Sequence, residues 1–486
     1  MPSIMIQGTT SSAGKSLVAA GLCRIFRQDG FSVAPFKSQN MALNSFVTRD
    51  GLEMGRAQVM QAEAAGVEPS VLMNPILLKP TSDVGSQVIV NGEVVGTMRA
   101  AEYFAYKRTL RPMVQAAYQS LAAQYDIVVL EGAGSPAEIN LKQEDIVNMG
   151  MAELADSPVL IVGDIDRGGV FASLYGTVSL LEPHEKARVR GLVINKFRGD
   201  LTILRPGLSM LEDLTQKPVL GVIPYLTLDL DDEDSLSPRL TQTRQGVLDI
   251  AVLRLPRISN FTDFNALSRH PAVGLRYVSR IEELGAPDLI LLPGTKNTMS
   301  DLLWLRQNGL EAAIQKHAAA GGYILGICGG YQMLGMTLAD PDSLEQGGTL
   351  RGMELLPIDT VFAPQKVRTR VSGTVTTLGN AAFTGYEIHM GRSTRRDDTP
   401  AFATYTDKTQ DGATRGNVCG SYIHGILDGD VCIALVNQLL ARKGLPPSTT
   451  APDPAAYKEA QYDALADALR QSLDLDRIYA IMGVNR

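Results

Sequence analysis

Gly326-Ile327-Cys328-Gly329-Gly330 follows an apolar run, Tyr323-Ile324-Leu325, and precedes a helical pattern over 331–334. That order predicts strand, sharp turn and helix, with a cysteine at the apex and glycines where side chains would clash. The junction is of the α/β kind and has the spacing of the G-x-S-x-G nucleophile elbow, with sulfur in place of oxygen. A cysteine so placed gains thiolate character from the helix N-terminus, and the next backbone N–H can face an oxyanion. The plainer reading is a buried cysteine beside a tight turn.

Outward from the elbow, the surrounding block predicts strands over 249–253, 273–278, 288–292 and 323–326, then shorter strands between about 351 and 425. Residues 1–226 form a separate series of strand–helix units, with strands expected over 3–7, 31–36, 126–130, 158–162, 191–194 and 219–223. Helix-period stretches lie over 16–29, 100–124 and 169–181. Short β-rich runs flanked by helices imply a mainly parallel sheet covered on both faces. The expected fold class is therefore α/β with two domains, 1–226 and 247–443. An acidic linker over 227–246 joins them, and a linker and helical tail over 444–486 is expected to pack on the second domain.

The 486 residues suffice for two or three domains, each with its own core. No stretch of about 18 apolar residues suggests a membrane span. The N-terminus enters a strand without a basic leader, so no signal peptide is expected. Four cysteines without a C-x-x-C pair point to a reducing cytoplasm, and against a disulfide framework or a zinc site. A net charge of −7 argues against nucleic acid as partner. The expected partners are small molecules, and a homo-oligomer is left open.

A second chemical site stands in Gly8-Thr9-Thr10-Ser11-Ser12-Ala13-Gly14-Lys15-Ser16, which joins the first strand to the first helix. Small residues let backbone N–H groups face a phosphate, Lys15 supplies charge, and Ser16 can bind Mg²⁺. The spacing is one residue longer than the usual P-loop. Ligands of open parallel sheets bind beyond the carboxyl ends of the strands, where Lys37, Glu131, Asp164 and Asn195 fall. Glu131 and Asp164 can hold Mg²⁺ or be solvated residues leaving a strand. Asn195 can read a purine or form a turn.

Cys328 needs a base, and there are five histidines. His184, His270 and His317 look solvated. His424, at the end of the apolar run Ser421-Tyr422-Ile423, is the favoured proton acceptor, with His389 as the competing choice.

The first half resembles the dethiobiotin synthetase-like branch of P-loop enzymes, which activate carboxylates with ATP. The landmarks are loop 8–16, Lys37, Glu53 ahead of Ala57-Gln58, the Glu131-Gly132-Ala133-Gly134 turn, and Asn195. The resemblance implies ATP bound by Thr10, Gly14, Lys15, Ser16 and Lys37, with Asn195 on the adenine. It places Ser16, Glu53 and Glu131 around Mg²⁺. Without it, Glu53 reads as a surface residue of a helical pattern over 51–64.

Residues 249–430 resemble the class I glutamine amidotransferase domain. Cys328-Gly329-Gly330-Tyr331-Gln332 fits its C-x-G-x-Q elbow, and Pro293-Gly294-Thr295 fits its upstream oxyanion loop. The resemblance implies that Cys328 attacks the glutamine amide and His424 protonates the departing ammonia. Gly294 and Gly329 would face the oxyanion, and Gln332 would help hold glutamine. One departure stands out. Complete triads of this superfamily carry a glutamate two residues after the histidine, where this chain has Ile426. The base is therefore expected to lack a carboxylate orienter, no triad is expected, and glutaminase activity is expected to be low unless the other domain is loaded.

Over its full length the chain resembles the cobyric acid synthase family. The supporting stretches include residues 36–45, 163–171, 256–264 and 386–391. This implies amidation of the b, d, e and g carboxylates of adenosylcobyrinic acid a,c-diamide, with ATP, Mg²⁺ and glutamine. No D-x-H-x-x-G sequence offers cobalt an axial ligand, so the corrinoid is expected as substrate. Lys79, Lys107, Arg108, Arg111 and Arg167 could hold its carboxylates or be solvated charges. The rival readings are cobyrinic acid a,c-diamide synthase, another ATP- and glutamine-using amide ligase, and, in a different class, a partition-type ATPase switch.

Overall fold

The computed structural model describes residues 2–81, 85–231, 245–448 and 453–485. Most of the expected acidic linker, including Asp232, Glu233 and Asp234, lies outside them, as do residues 449–452 of the expected second linker. No described helix is long and apolar enough to cross a membrane.

In the first half, six parallel strands lie in the order Val219–Pro224, Val189–Phe197, Val159–Asp164, Ser3–Gly8, Ile127–Glu131, Val33–Phe36. Their continuous apolar character follows from burial on both faces, one core cluster on each side. The first strand is central, so its loop 8–16 opens between the ends of two neighbours. A smaller sheet follows, with Gln39–Met41, Ile76–Pro80, Gly85–Val90 and Glu93–Arg99 in that order.

The second sheet runs Val273–Val278, Leu248–Leu253, Leu289–Leu292, Tyr323–Ile327, Val418–Ser421, Ala413–Arg415, parallel except for its last pair. Short strands were expected between about 351 and 425; they occur from Ala403 to Ser421, but before them the chain builds a long antiparallel hairpin, Ile358–Val375 with Ala381–Arg395. Lys366, Arg368 and Arg370 alternate along its first strand and so share one face. That face grips the first half. Arg368 bonds the Gly92 carbonyl and Glu93, Arg370 the Val47 carbonyl and Glu68, and Lys366 bonds Glu53.

One expectation about organisation is corrected. The tail packs chiefly on the first domain, where the second was expected, and meets the second through Tyr457 beneath Arg269. Its helix Pro454–Ser472 crosses Lys15–Gln28, burying Tyr462, Leu465 and Leu469 in the first-half core. A Cβ on Gly21 would meet the Leu469 side chain at 2.2 Å, so glycine sets the close approach of the two helices. Arg24 pairs with Asp463, and Arg470 and Tyr479 bind Asp29. The described start of the acidic segment is likewise anchored. Asp229 accepts from Arg269, and Asp231 from Arg56 and Asn265.

Candidate active site

At the ends of the first sheet the phosphate-binding residues converge. Gly14 takes a left-handed φ of 95°, and the helix Lys15–Gln28 begins there. The Lys15 Nζ folds over its own loop, donating to the carbonyls of Thr10 at 2.8 Å, Ser11 at 3.2 Å and Gly134 at 3.1 Å. Ser16 Oγ donates to Glu131 Oε1 at 2.8 Å, and Lys37 Nζ donates to the same oxygen at 2.9 Å. Gln61 donates to the other carboxylate oxygen. The structure thus brings Thr10, Gly14, Lys15, Ser16, Lys37 and Glu131 together.

Asn195 and Glu53 stand differently from expectation. Asn195 is buried against the loop, its Nδ2 donating to the Ala13 carbonyl and its Oδ1 accepting from the Lys196 N–H. It braces the loop instead of presenting an amide to a base. Asp164 is occupied by Lys196 at 2.7 Å.

Glu53 does not join Ser16 and Glu131. It lies on a short strand, Glu53–Gly55, because the helix starts only at Arg56. Two lysines neutralise it, Lys79 at 2.9 Å and Lys366 at 2.5 Å. Burial alone would raise this carboxyl, but the two ammonium charges outweigh it and hold Glu53 well below the usual carboxylate range. The pair Glu53–Lys366 ties the two halves together. Lys79 is thereby committed to this network, and Arg108 pairs with Glu144.

In the second half Cys328 sits at the expected apex, with φ 51° and ψ −108°, a costly conformation for a non-glycine residue. The chain can turn this sharply because of its glycines. A Cβ on Gly330 would meet the Leu292 carbonyl oxygen at 2.1 Å, and one on Gly326 would meet Gly330 at 2.7 Å. Helix Gly329–Met333 begins immediately after the thiol. Gly329 packs on Thr295, and Gly294 lies against the His424 ring, so both expected oxyanion glycines border the apex.

His424 lies just beyond strand Val418–Ser421, and two backbone bonds to Tyr386 fix it to the long hairpin. Its Nδ1 lies 2.7 Å from Asp263 Oδ2, and Asp263 Oδ1 accepts the Gly425 N–H at 2.9 Å. The expectation that this histidine lacks a carboxylate partner is therefore corrected. A Cys328–His424–Asp263 arrangement exists, with the carboxylate supplied from a distant loop instead of position 426. Burial lowers the His424 pKa, but the Asp263 charge and hydrogen bond, with a hydrogen bond to Cys328, carry it up to about 10.

His389 lines the same cavity but stacks on Tyr422 at 3.7 Å, its Nδ1 against the Gly391 carbonyl. Burial pushes it down to about 4. Among the other histidines, His270 is buried and accepts the Ala272 N–H. Gln332 lines the cavity with both amide ends bonded, to Thr298 and Tyr422. It shapes the wall that glutamine would meet.

Asp263 was not singled out by sequence reading. It lies within the stretch 256–264, but no spacing rule links it to a histidine 161 positions away.

Both halves line the cavity around Cys328, about 620 Å³ in volume, with Lys79, Gln87 and Thr97 facing it from the small sheet. A second cavity of about 520 Å³ lies beside the phosphate loop, faced by Leu78, Pro80, Ser86 and Met98. The register explains this division. Lys79 pairs with Gln87 and Gln87 with Thr97, while Pro80 pairs with Ser86 and Ser86 with Met98. Alternate residues point to opposite faces, so one sheet separates the two cavities.

Comparison with known proteins agrees with this two-part arrangement. Residues 4–235 match the CobQ/CobB/MinD/ParA nucleotide binding domain, and residues 249–431 match the CobB/CobQ-like glutamine amidotransferase domain. The chain is 56% identical to the cobyric acid synthase of Lachnoclostridium phytofermentans, over 99% of each chain. It is 55% identical to that of Ruminiclostridium cellulolyticum, over 99% of this chain and 96% of the relative. For that of Yersinia enterocolitica the identity is 53%, over 99% of this chain and 98% of the relative. With both halves matched and this identity sustained from end to end, the chain belongs to the cobyric acid synthase family, glutamine-dependent amide ligases of cobalamin biosynthesis.

Proposed function

We propose that this chain converts the b, d, e and g carboxylates of adenosylcobyrinic acid a,c-diamide to amides, with ATP at loop 8–16 and nitrogen released from glutamine at Cys328. The observation that carries this reading is the single four-stranded sheet with the thiol cavity on one face and the phosphate-loop cavity on the other. Nitrogen freed on one side need travel only past this partition.

In the second half, Cys328 Sγ attacks the glutamine side-chain amide and His424 gives its proton to the departing ammonia. Water then releases glutamate. Asp263 fixes the imidazole tautomer and favours its protonated form. The backbone N–H groups at Gly329 and Gly294 stabilise the oxyanion, and Gln332 shapes the glutamine pocket.

In the first half, Lys15, with Gly14 and Thr10, receives the phosphates of ATP, and Lys37 adds positive charge beside Glu131. The Ser16 hydroxyl and the buried Glu131 carboxylate, 2.8 Å apart, are hard oxygen donors that suit Mg²⁺. Ser16 and Glu131 would hold the ion, and when bound it neutralises phosphate charge. Glu53 takes no part in this set. The corrinoid carboxylate would be activated here as an acyl phosphate, which ammonia then attacks.

The test is product mass after incubation with cobyrinic acid a,c-diamide, ATP and glutamine. Four successive replacements of carboxylate by carboxamide are expected. An unreacted diamide would reject the reading in favour of a different acceptor.

A further inference from the structure

The cavity beside the phosphate loop is built for something large and mostly apolar. Its walls come from Leu78 and Met98 of the small sheet, Tyr103 and Phe104 of helix Ala100–Lys107, and the loop after Glu131. At its mouth Met41 is 57% exposed, Phe104 38% and Leu141 40%. Exposed side chains of this size clustered at one opening mark a binding surface. The cavity also touches the chemistry. Gly134 lines it, and the carbonyl of Gly134 accepts from Lys15 Nζ at 3.1 Å.

Two polar groups in this apolar setting lack the partners that burial demands. Lys107 is only 8% exposed, yet among the described residues its ammonium makes no hydrogen bond or ion pair. It lies 5.8 Å from the Phe104 ring centroid. The charges of Asp145 and Glu144 reach it without a direct bond, since Asp145 accepts the N–H groups of Val147, Asn148 and Gly150 and Glu144 pairs with Arg108. Asn148, also 8% exposed, donates Nδ2 to the Ala133 carbonyl, while its Oδ1 has no partner among the described residues. A largely buried cation with no hydrogen bond or ion pair and a buried acceptor without a donor are costly unless a ligand completes them.

We infer that this cavity seats one edge of the corrin macrocycle, with Lys107 binding a peripheral carboxylate and Asn148 Oδ1 accepting an N–H from the incoming nitrogen or the new amide. The inference rests on the proposed function for the identity of the acceptor. An apolar ring with carboxylates at its rim matches apolar walls whose two lysines differ, Lys142 being taken up by Glu185 and Lys107 standing ready for an anion. A volume of about 520 Å³ with an open mouth suits an edge of the ring, leaving the remainder in solvent. The rim group that enters then lies beside the phosphate loop.

The test uses the full chain with cobyrinic acid a,c-diamide as probe, in Lys107→Met, Lys107→Arg and the cavity-filling Met98→Trp. Loss of a charged hydrogen bond should raise KM for the corrinoid by about tenfold or more in Lys107→Met, with Lys107→Arg largely restored. Met98→Trp should raise the same KM, while KM for ATP and glutamine stays near wild type in all three. Equilibrium dialysis of the corrinoid against wild type and Lys107→Met reads the seat without turnover. It therefore separates failure of the seat from failure of the proposed reaction. Unchanged corrinoid affinity in both Lys107→Met and Met98→Trp overturns the inference. A raised KM for ATP alone would assign the cavity to nucleotide and overturn it equally.

Discussion

Asp263 Oδ2 lies 2.7 Å from His424 Nδ1, joining residues 161 positions apart in the chain. The contact replaces the carboxylate that Ile426 cannot supply. In Asp263→Asn the ring loses its anionic partner and the amide can donate where the carboxylate accepted, selecting the wrong tautomer. Glutamine-dependent turnover should fall by about 10²–10⁴, as it does when triad carboxylates are neutralised. Amidation supported by added ammonia should persist, since no phosphate-loop group is touched. Steady-state rates with the two nitrogen sources check both halves of this expectation.

The same contact carries a pH signature. His424 titrates at about 10 in the folded chain, above its ordinary 6.5. A raised pKa means that the protonated form is favoured by folding, so this contribution is full below about pH 6.5 and lost as pH rises through about 10. The melting-temperature advantage of wild type over Asp263→Asn should therefore shrink steadily across that window. An advantage that grew with pH would show that Asp263 does not hold a charged imidazole.

Glu53 joins the halves through Lys366 while Lys79 of its own half completes its neutralisation, and all three side chains are nearly inaccessible. Glu53→Gln leaves two buried ammonium groups without their anion, at a cost of about 3–5 kcal/mol. Thermal unfolding should show a clear drop in melting temperature. The exposed pair Arg351–Glu354 is the control, because solvent screens it and Glu354→Gln should leave melting unchanged.

Much of this arrangement was legible in the sequence because its signals are local. Buried parallel strands write themselves as continuous apolar runs, and the glycines around Cys328 and Gly14 answer steric demands within a few residues. What was missed depends on distant partners. Asp263 acquires meaning only when the loop holding it folds against His424. Glu53 fell inside a helical period over 51–64, yet it stands on a strand, bonded to Lys366 313 positions away. The helical tail was legible as a helix, but its expected partner was the wrong domain, because Gly21 and the helix it packs on lie near the other end of the chain.

That last point is testable. Leu469 is fully buried between the tail and helix Lys15–Gln28. Leu469→Ala should cost about 2–5 kcal/mol through lost burial and a residual cavity. Hydrogen exchange should accelerate in Lys15–Gln28 while strand Tyr323–Ile327 stays protected. The reverse pattern would return the tail to the second domain.

The central claim is that sulfur chemistry in one half supplies nitrogen to carboxylate activation in the other. Cys328→Ser, assayed by corrinoid product mass with glutamine and then with ammonium chloride as nitrogen source, tests it most directly. No amide should form from glutamine, whereas ammonium chloride should still drive amidation at a rate comparable to wild type. Loss of both activities in a folded variant, or full activity with glutamine, would contradict the division of labour.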